Sequence, residues 1–292
     1  MRELKSCLVC NSLIFNKLLS CTDNTVSGEY FNLVQCNTCN FIFTNPVPDE
    51  NEIIKYYKSD EYISHSDTKK GLMNMAYHQV RKITLKKKLQ LINNLAPHKG
   101  LLLDVGCGTG YFLKSCKEDG WKVEGTEPDP DARKIAEGLT KSEISETIFS
   151  KNNYQSYNII TLWHVLEHVH KLNECMERIS NLLKENGKLI IAVPNCESYD
   201  AKIYKENWAA YDVPRHLYHF TAETMNRLLN KHKFTLVRKE PMKFDAFYVS
   251  MMSEKYKNGS TIKGVFNGLR SNLKSGNEKN YSSLIYIAEK IK

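Results

Sequence analysis

The chain has no apolar run long enough to cross a membrane. Its longest apolar stretches, such as Leu189-Ile-Ile-Ala-Val193, are far shorter than the roughly 20 residues that a membrane-spanning helix needs. An apolar signal region is also missing from the N-terminus, and Cys7 and Cys10 come too early in the chain for one. We therefore expect a cytoplasmic protein without a membrane span.

Complete disulfide pairing is excluded because the nine cysteines are odd in number. Four of them form two C-x-x-C pairs, Cys7/Cys10 and Cys36/Cys39, with 25 residues between the pairs. Four thiolates at this spacing can surround one Zn²⁺, although the gap exceeds the usual value of about 15 to 20 residues. We predict a structural zinc site in a ribbon over residues 1–45, with an iron–sulfur site or a redox pair as the alternatives.

Acidic residues are absent between Lys69 and Lys88, where seven Lys or Arg side chains occur within an apolar helical pattern. They are also scarce between Lys255 and Lys292, where eight basic residues face two acidic ones. A nucleic-acid groove is one interpretation of this charge. A solvated helix face and a basic tail are favoured instead, because no aromatic residues interleave with the charges for base stacking. We do not expect a nucleic acid as partner.

Strands and helices are predicted to alternate from residue 97 onward, which is typical of a doubly wound parallel sheet. Two closing strands, Phe234–Lys239 and Phe247–Met252, are predicted to form an antiparallel hairpin. The resulting α/β domain spans residues 97–256. A helical linker or lid is predicted before it, over residues 46–96, and a basic, partly helical tail after it, over residues 257–292.

A glycine turn follows the first strand of this domain, in the sequence LLLDVGCGTG of residues 101–110. Glycines at the carboxyl edge of a sheet let a ligand approach the backbone closely. The pattern D-x-G-x-G-x-G differs from the dinucleotide pattern, whose bare N–H groups bind a pyrophosphate. An acid two residues before the first glycine suits a ligand with an ammonium group and no phosphate, such as S-adenosylmethionine.

A second acid, Glu127, ends the next strand about 20 residues further on, where it can accept both ribose hydroxyls. The predicted donor-binding residues of the two segments are Asp104, Gly106, Cys107, Gly108, Gly110, Glu127 and Pro128.

These segments resemble the class I S-adenosylmethionine-dependent methyltransferases, over roughly residues 97–252. The LEHV sequence of Leu166–Val169 resembles the motif after strand four in ubiquinone-type O-methyltransferases and in deoxysugar C-methyltransferases. The latter also carry an N-terminal four-cysteine zinc unit, so the similarity extends to residues 7–39. Their further C-terminal domain is not expected here, and their substrates are therefore not carried over.

The resemblance implies a Rossmann-like, seven-stranded methyltransferase sheet whose last strand is antiparallel. It also implies a donor contact at Tyr62 in a lid segment, where the alternative is an aromatic residue that anchors the helices to the core. Trp163, after the fourth strand, is a further predicted donor contact. The acid that such enzymes often place after strand three to contact the adenine has no counterpart in residues 148–152.

Proton removal is the chemical task that the chain must perform for a hydroxyl or carbon acceptor, and a histidine suits it. The candidates are His164 and His168 after the fourth strand, and His216. The resemblance to the sugar enzymes favours His216, although these enzymes have a glutamate where Arg215 stands. Arg215 would suit an anionic substrate such as a carboxylate or a sugar nucleotide.

A catalytic divalent cation is a further alternative at this place. In some ubiquinone-type enzymes an E-x-x-E-H segment is linked to such a cation, and His164 replaces its first acid here. The same H-x-x-E-H segment also matches an inverted zinc-protease motif, which requires a helix. Residues 158–162 are instead predicted to form a buried strand, which excludes that hydrolase.

We predict an S-adenosylmethionine-dependent methyltransferase that acts on a small polar acceptor, such as a nucleotide sugar, a glycan precursor or a related metabolite, at oxygen or carbon. One alternative is a zinc-ribbon RNA methyltransferase, which is disfavoured because the chain lacks an Asn-Pro-Pro-Tyr-type motif after strand four. The other alternative is a non-catalytic binding module that retains the fold.

Overall fold

The computed structural model describes residues 1–57, 72–152, 154–276 and 279–291, with residues 72–79 described by their backbone alone. These residues form two β-sheets, with helices packed around the larger one. The strands are β1 (Phe15–Thr22), β2 (Tyr30–Cys36), β3 (Ile42–Thr44), β4 (Leu101–Val105), β5 (Lys122–Thr126), β6 (Ile144–Ser145), β7 (Tyr157–Trp163), β8 (Leu183–Pro194), β9 (Tyr218–His219), β10 (Phe234–Pro241) and β11 (Ser283–Lys290).

The helices differ widely in length. They are α1 (Leu72–Leu95), α2 (Tyr111–Glu118), α3 (Pro130–Thr140), α4 (Leu172–Leu182), α5 (Tyr199–Tyr204), α6 (Ala222–Lys231), α7 (Asp245–Tyr256) and α8 (Thr261–Lys274), and short 3₁₀ turns include Glu52–Tyr57 and Leu166–His168. In the described part of the chain, no helix combines the length and the hydropathy that crossing a membrane requires.

The larger sheet has seven strands in the order β10-β11-β8-β7-β4-β5-β6. Strands β4 to β8 are parallel, whereas β11 is antiparallel to both of its neighbours. Alternate residues of β4 point into two different apolar clusters, Leu103 toward α4 and α6 and Leu102 toward α1 and α2. The predicted Rossmann-like α/β fold is therefore confirmed, and the strand order reverses beside β4, where a ligand crevice is expected.

The smaller sheet has the order β1-β2-β3-β9. Its first three strands belong to the cysteine ribbon, but β9 comes from the loop that precedes α6. The ring of Phe41 stacks on that of Tyr218, with 6.0 Å between the ring centroids, and lies 5.5 Å from that of Phe220. Because these rings belong to the same buried cluster as one face of the larger sheet, the ribbon is part of the main core.

The predicted closing hairpin is wrong in its second strand. Phe234 begins β10 as predicted, but Phe247–Met252 lies within helix α7, and the antiparallel partner of β10 is β11. A short apolar run does not distinguish a strand from a buried helix by its periodicity. β11 lies within the predicted basic tail, whose charge suggests solvation, although Leu284–Ala288 is almost fully buried in the sheet.

Helices α7 and α8 form a hairpin inserted between β10 and β11, and glycines allow their close contact. A Cβ atom at Gly268 would lie 2.7 Å from Cα of Phe247, and one at Gly264 would lie 2.6 Å from Cα of Met251. These neighbours are backbone atoms, so the two helices would have to separate to accommodate a side chain.

We expect Gly268→Ala to destabilise the protein by about 1–3 kcal/mol, because the added methyl group overpacks this contact. The matched control is Gly138→Ala in α3, where, outside the surrounding helical turns, no described atom lies within 4 Å of the added Cβ. That change should stabilise the protein by about 0.4–1 kcal/mol through the loss of unfolded-state freedom. Denaturant unfolding followed by circular dichroism measures both values, and equal effects of the two substitutions would contradict the close helix contact.

Candidate active site

The glycine turn between β4 and α2 contains one position that borders open space. All three glycines of the turn have left-handed backbones, with φ values of 67°, 54° and 81° in chain order. A Cβ atom at Gly106 would lie 2.5 Å from the Val165 side chain, and one at Gly110 would lie 2.8 Å from Cα of Ala136. At Gly108 no atom of the described residues lies within 4 Å of that position, so this glycine can face a ligand.

Glu127 follows β5 and is held beside this turn. Its carboxylate accepts hydrogen bonds from the backbone N–H groups of Gly108 at 2.8 Å and Asp129 at 3.0 Å. Burial raises the pKa of Glu127 above its ordinary value. The adjacent Pro128 is exposed, whereas Cys107 is half-buried, and burial raises the pKa of its thiol.

Asp104 and Trp163 lie at the carboxyl ends of neighbouring strands, next to the turn. Asp104 accepts a hydrogen bond from Oγ1 of Thr161 at 2.6 Å, and burial raises its pKa to about 7. The indole ring of Trp163 packs edge-on against Phe112, with 5.6 Å between the ring centroids. The ammonium of Lys88 lies 4.2 Å from the centroid of the Trp163 ring. Burial lowers the pKa of Lys88. Within the described chain, the buried Nε1 of Trp163 has no hydrogen-bond partner.

His164 is clamped between two carboxylates. Its backbone is left-handed, with a φ of 57°, which is uncommon for a residue other than glycine. Nδ1 lies 3.2 Å from Glu167 and Nε2 lies 3.0 Å from Asp245. Burial opposes the charge on the ring, but these two hydrogen bonds outweigh it and raise the pKa of His164 to about 10. As an imidazolium at neutral pH, His164 suits a positioning role better than that of a general base.

His168 and His216 pack edge to face, with 4.6 Å between their ring centroids. Nδ1 of His168 donates to the carbonyl of Arg215 at 3.0 Å, and Nδ1 of His216 donates to that of Ala210 at 2.9 Å. Because a carbonyl can only accept, each Nδ1 carries a proton, so Nε2 is the nitrogen that holds the lone pair when either ring is neutral. The Tyr57 hydroxyl also lies 3.0 Å from Nδ1 of His168. Burial lowers the pKa of His168 to about 4, and repulsion from His216 in its protonated form acts in the same direction.

Glu167 completes this group. Burial would raise the pKa of Glu167, but the hydrogen bond from His164 and its charge lower it overall. Its second carboxylate oxygen, Oε2, is buried and has no partner among the described residues. One oxygen of Glu167 and one ring nitrogen each of His168 and His216 lie within 4.8 Å of one another. We call these three residues the acceptor cluster, since such a group can take a proton or hold a divalent cation.

Arg215 does not face a substrate, so its predicted role toward an anionic ligand is wrong. The residue is 1% exposed, and its guanidinium donates to Asp212 at 2.7 Å, to Asp23 at 2.9 Å and to the carbonyl of Tyr56 at 2.8 Å. Two carboxylates therefore already neutralise its charge. Asp23 lies in the turn between β1 and β2, so the arginine links the ribbon to the loop that carries His216.

The four predicted zinc ligands converge. Their sulfur atoms lie within 4.8 Å of one another, and the thiols are those of Cys7, Cys10, Cys36 and Cys39. An asparagine with a left-handed backbone follows each pair, Asn11 with a φ of 62° and Asn40 with a φ of 61°. The N–H group of each asparagine donates to the carbonyl of the first cysteine of its pair. The two knuckles thus have the same geometry, which fits one tetrahedral ion.

Some residues of the site carried no signal in the sequence. Lys88 is one of three consecutive lysines, and Asp245 precedes the segment that was predicted as a strand. Tyr57 lies in the predicted lid segment, without a pattern that connects it to His168. Tyr62, which the resemblance implied as a donor contact, lies outside the described residues.

Comparison with known proteins places this geometry in a family. A family profile described as a methyltransferase domain matches residues 77–239. A ubiquinone biosynthesis O-methyltransferase of Vibrio atlanticus (strain LGP32) is 28% identical over 126 residues, which are 40% of this chain and 52% of that protein. The chain thus spans about half the length of the curated relatives that it matches.

Two solved structures have similar folds. Magnesium protoporphyrin IX methyltransferase from Synechocystis PCC 6803, with bound S-adenosylhomocysteine, has a TM-score of 0.55 at 14% identity, over 83% of this chain and 100% of that one. Phosphoethanolamine N-methyltransferase 2 of Haemonchus contortus, in complex with S-adenosylmethionine, has a TM-score of 0.55 at 15% identity, over 95% of this chain and 69% of that one. At these identities the likeness concerns the fold. Because the family profile covers more than half of its length, the chain belongs to the methyltransferase domain family.

Proposed function

We propose that the chain is an S-adenosylmethionine-dependent methyltransferase of a small polar acceptor. The observation that carries this proposal is the meeting of two groups at one edge of the larger sheet. The glycine turn and Glu127 follow β4 and β5, and the acceptor cluster begins directly after β7. The donor supplies an electrophilic methyl group on a sulfonium ion. The chain must then align the two reactants and remove one proton from the acceptor.

The residues at the glycine turn fit such a donor. Gly108 leaves space for it, and the carboxylate of Glu127 can accept hydrogen bonds from its ribose hydroxyls. Asp104, in its ionised form, can pair with its ammonium group. The ammonium of Lys88 and the unpartnered Nε1–H of Trp163 can donate hydrogen bonds to the carboxylate of the donor. Gly106, Cys107, Gly110 and Pro128 would then shape the turn.

We expect Glu127→Ala to weaken binding of S-adenosylhomocysteine by about tenfold to a thousandfold, because hydrogen bonds to a charged group are lost. Isothermal titration calorimetry measures the affinity. Asp131→Ala is the matched control, since Asp131 is an exposed acid in the first turn of α3. Glu127→Gln retains one acceptor oxygen and should fall between the two. Equal affinity of all four proteins would contradict the proposed donor site.

The acceptor we propose is a sugar, a nucleotide sugar, a glycan precursor or a related polar metabolite, methylated on oxygen or carbon. The support is the polar character of the acceptor cluster and the nearby Tyr57 hydroxyl, which can all form hydrogen bonds with hydroxyl groups. Arg215 is fully engaged elsewhere and does not contribute to acceptor recognition.

Within the acceptor cluster we propose His216 as the general base. In the neutral ring Nε2 holds the lone pair that can take the proton, and a carboxylate oxygen of Asp212 lies 3.9 Å away, where it can stabilise the imidazolium that forms. His168 is a weaker base because its pKa is lowered to about 4. His168 then orients the ring of His216, against which it packs, and the charged His164 orients the carboxylate of Glu167.

We expect His216→Ala to reduce methyl transfer by about 10²–10⁴-fold while donor affinity changes less than about twofold. Transfer from labelled donor is measured on a panel of free sugars, nucleotide sugars and lipid-linked sugars, and donor affinity by calorimetry. His232→Ala is the control, because its ring contacts Asn173 outside the site. Unchanged transfer by the His216 variant would disprove its role as base, and strict dependence on added Mg²⁺ or Mn²⁺ would favour a cation at the cluster.

We also propose that the four-cysteine ribbon binds a structural Zn²⁺ and positions the loop of His216. Thr44, at the end of β3, accounts for this connection. Its N–H group donates to the carbonyl of Leu217 at 2.9 Å, and its hydroxyl donates to the carbonyl of His216 at 2.9 Å. A ribbon folded around its ion therefore holds the backbone of the proposed base.

We expect Cys36→Ser to lose one bound zinc per chain and to accelerate hydrogen exchange in residues 216–219, because a structural zinc ion stabilises the fold around it. Elemental analysis and hydrogen-exchange mass spectrometry measure the two effects. Cys116→Ser changes a buried thiol of α2, in the apolar cluster on the other face of the larger sheet, and should retain both zinc and slow exchange. Iron in place of zinc would contradict the proposed metal, and unchanged exchange after zinc loss would contradict the positioning role.

A further inference from the structure

Helix α8 is oriented with its small and polar residues inward and its large apolar residues outward. The buried positions are Gly264, Asn267, Gly268 and Ser271. The outward positions include Ile262, Phe266 and Leu273, which are 83%, 58% and 73% exposed. Val265 and Leu269 are exposed beside them. We call these five residues the apolar stripe. Contiguous exposed apolar residues on one helix face mark an interaction surface.

Hydrogen bonds on the inner face fix this orientation. The amide of Asn267 donates to the Tyr204 hydroxyl at 2.8 Å and to Glu254 at 3.2 Å. The hydroxyl of Ser271 donates to Asp200 at 2.6 Å. These partners are buried, so a rotation of the helix that hid the apolar stripe would break bonds inside the protein. The stripe is therefore presented outward by the packing itself.

The charges of α8 indicate what kind of partner fits. The helix contains Lys263, Arg270 and Lys274 and no acidic residue. Lys263 also lies 3.5 Å from Glu254, while the side chain remains 64% exposed. A second copy of the chain meeting this stripe would bring like charges together, which disfavours self-association. An anionic surface complements both the cations and the apolar stripe.

We propose that α8 is a docking surface for an anionic lipid bilayer and lies flat in its interface. A helix with large apolar residues on one face and cations beside them binds membranes in this way. The spacing of Ile262, Phe266, Leu269 and Leu273, at intervals of four, three and four residues, keeps them on one face. At 14 residues the helix is too short to cross a bilayer, so it binds the surface only.

Sedimentation with lipid vesicles tests this surface, and it needs neither donor nor acceptor. The full chain should bind vesicles of equimolar phosphatidylcholine and phosphatidylglycerol and should not bind phosphatidylcholine alone, and added salt should weaken binding. Substitution of Phe266, Leu269 and Leu273 together by Ser should reduce binding by about tenfold or more. The matched control replaces Leu13, Ile14 and Ile135 by Ser, three exposed apolar residues elsewhere, and should bind as the unchanged chain does.

Each alternative result overturns the proposal. Vesicle binding that survives the triple change in α8 would assign it to another surface. Absence of vesicle binding, combined with a dimer that the same change disrupts in analytical ultracentrifugation, would assign the stripe to a second copy of the chain. Absence of both would leave no docking role for α8. Circular dichroism melting confirms that each variant is folded, and normal donor binding by a non-docking chain would leave the proposed methyl transfer intact.

Discussion

The architecture of the acceptor side depends on one buried charge. The guanidinium of Arg215 contacts Asp23 in the ribbon hairpin, Asp212 in its own loop and the carbonyl of Tyr56. Removal of one partner from such a buried ion pair typically costs about 3–5 kcal/mol, since the remaining charge is uncompensated. The backbone carbonyl of the same arginine accepts the hydrogen bond of His168. Arg215 thus holds together the ribbon, the 3₁₀ turns Glu52–Tyr57 and Leu166–His168, and the loop that carries His216.

The two halves of the candidate site are therefore built in different ways. The donor half rests on the ends of buried parallel strands, where the backbone is rigid without further support. The acceptor half rests on a loop, and a loop gains precision from the elements that surround it. Here β9 pairs with the ribbon, and Thr44 donates hydrogen bonds to the backbone carbonyls of His216 and Leu217. The ribbon would therefore align the loop that carries His216, in addition to being stable itself.

The same division explains what could be predicted from the sequence. Asp104 and Glu127 occupy fixed offsets from their strands, and the cysteine knuckles depend on local spacing, so short patterns were sufficient for both. The acceptor half depends on partners far apart in the chain. Arg215 and Asp23 are separated by 192 positions, and His164 and Asp245 by 81. No local pattern contains such contacts, and the exchange of a predicted strand for α7 further concealed Asp245.

The orientation of α8 follows from buried hydrogen bonds and steric fit. Turning its apolar face inward would remove the bonds of Asn267 and Ser271, and each buried polar group left without a partner costs about 1–3 kcal/mol. The absence of Cβ atoms at Gly264 and Gly268 adds a steric term, because the large apolar residues do not fit at these close contacts with α7. The packing therefore favours outward apolar residues even before any partner binds. Burial of these side chains in a bilayer would then supply the hydrophobic free energy that packing inside the protein does not.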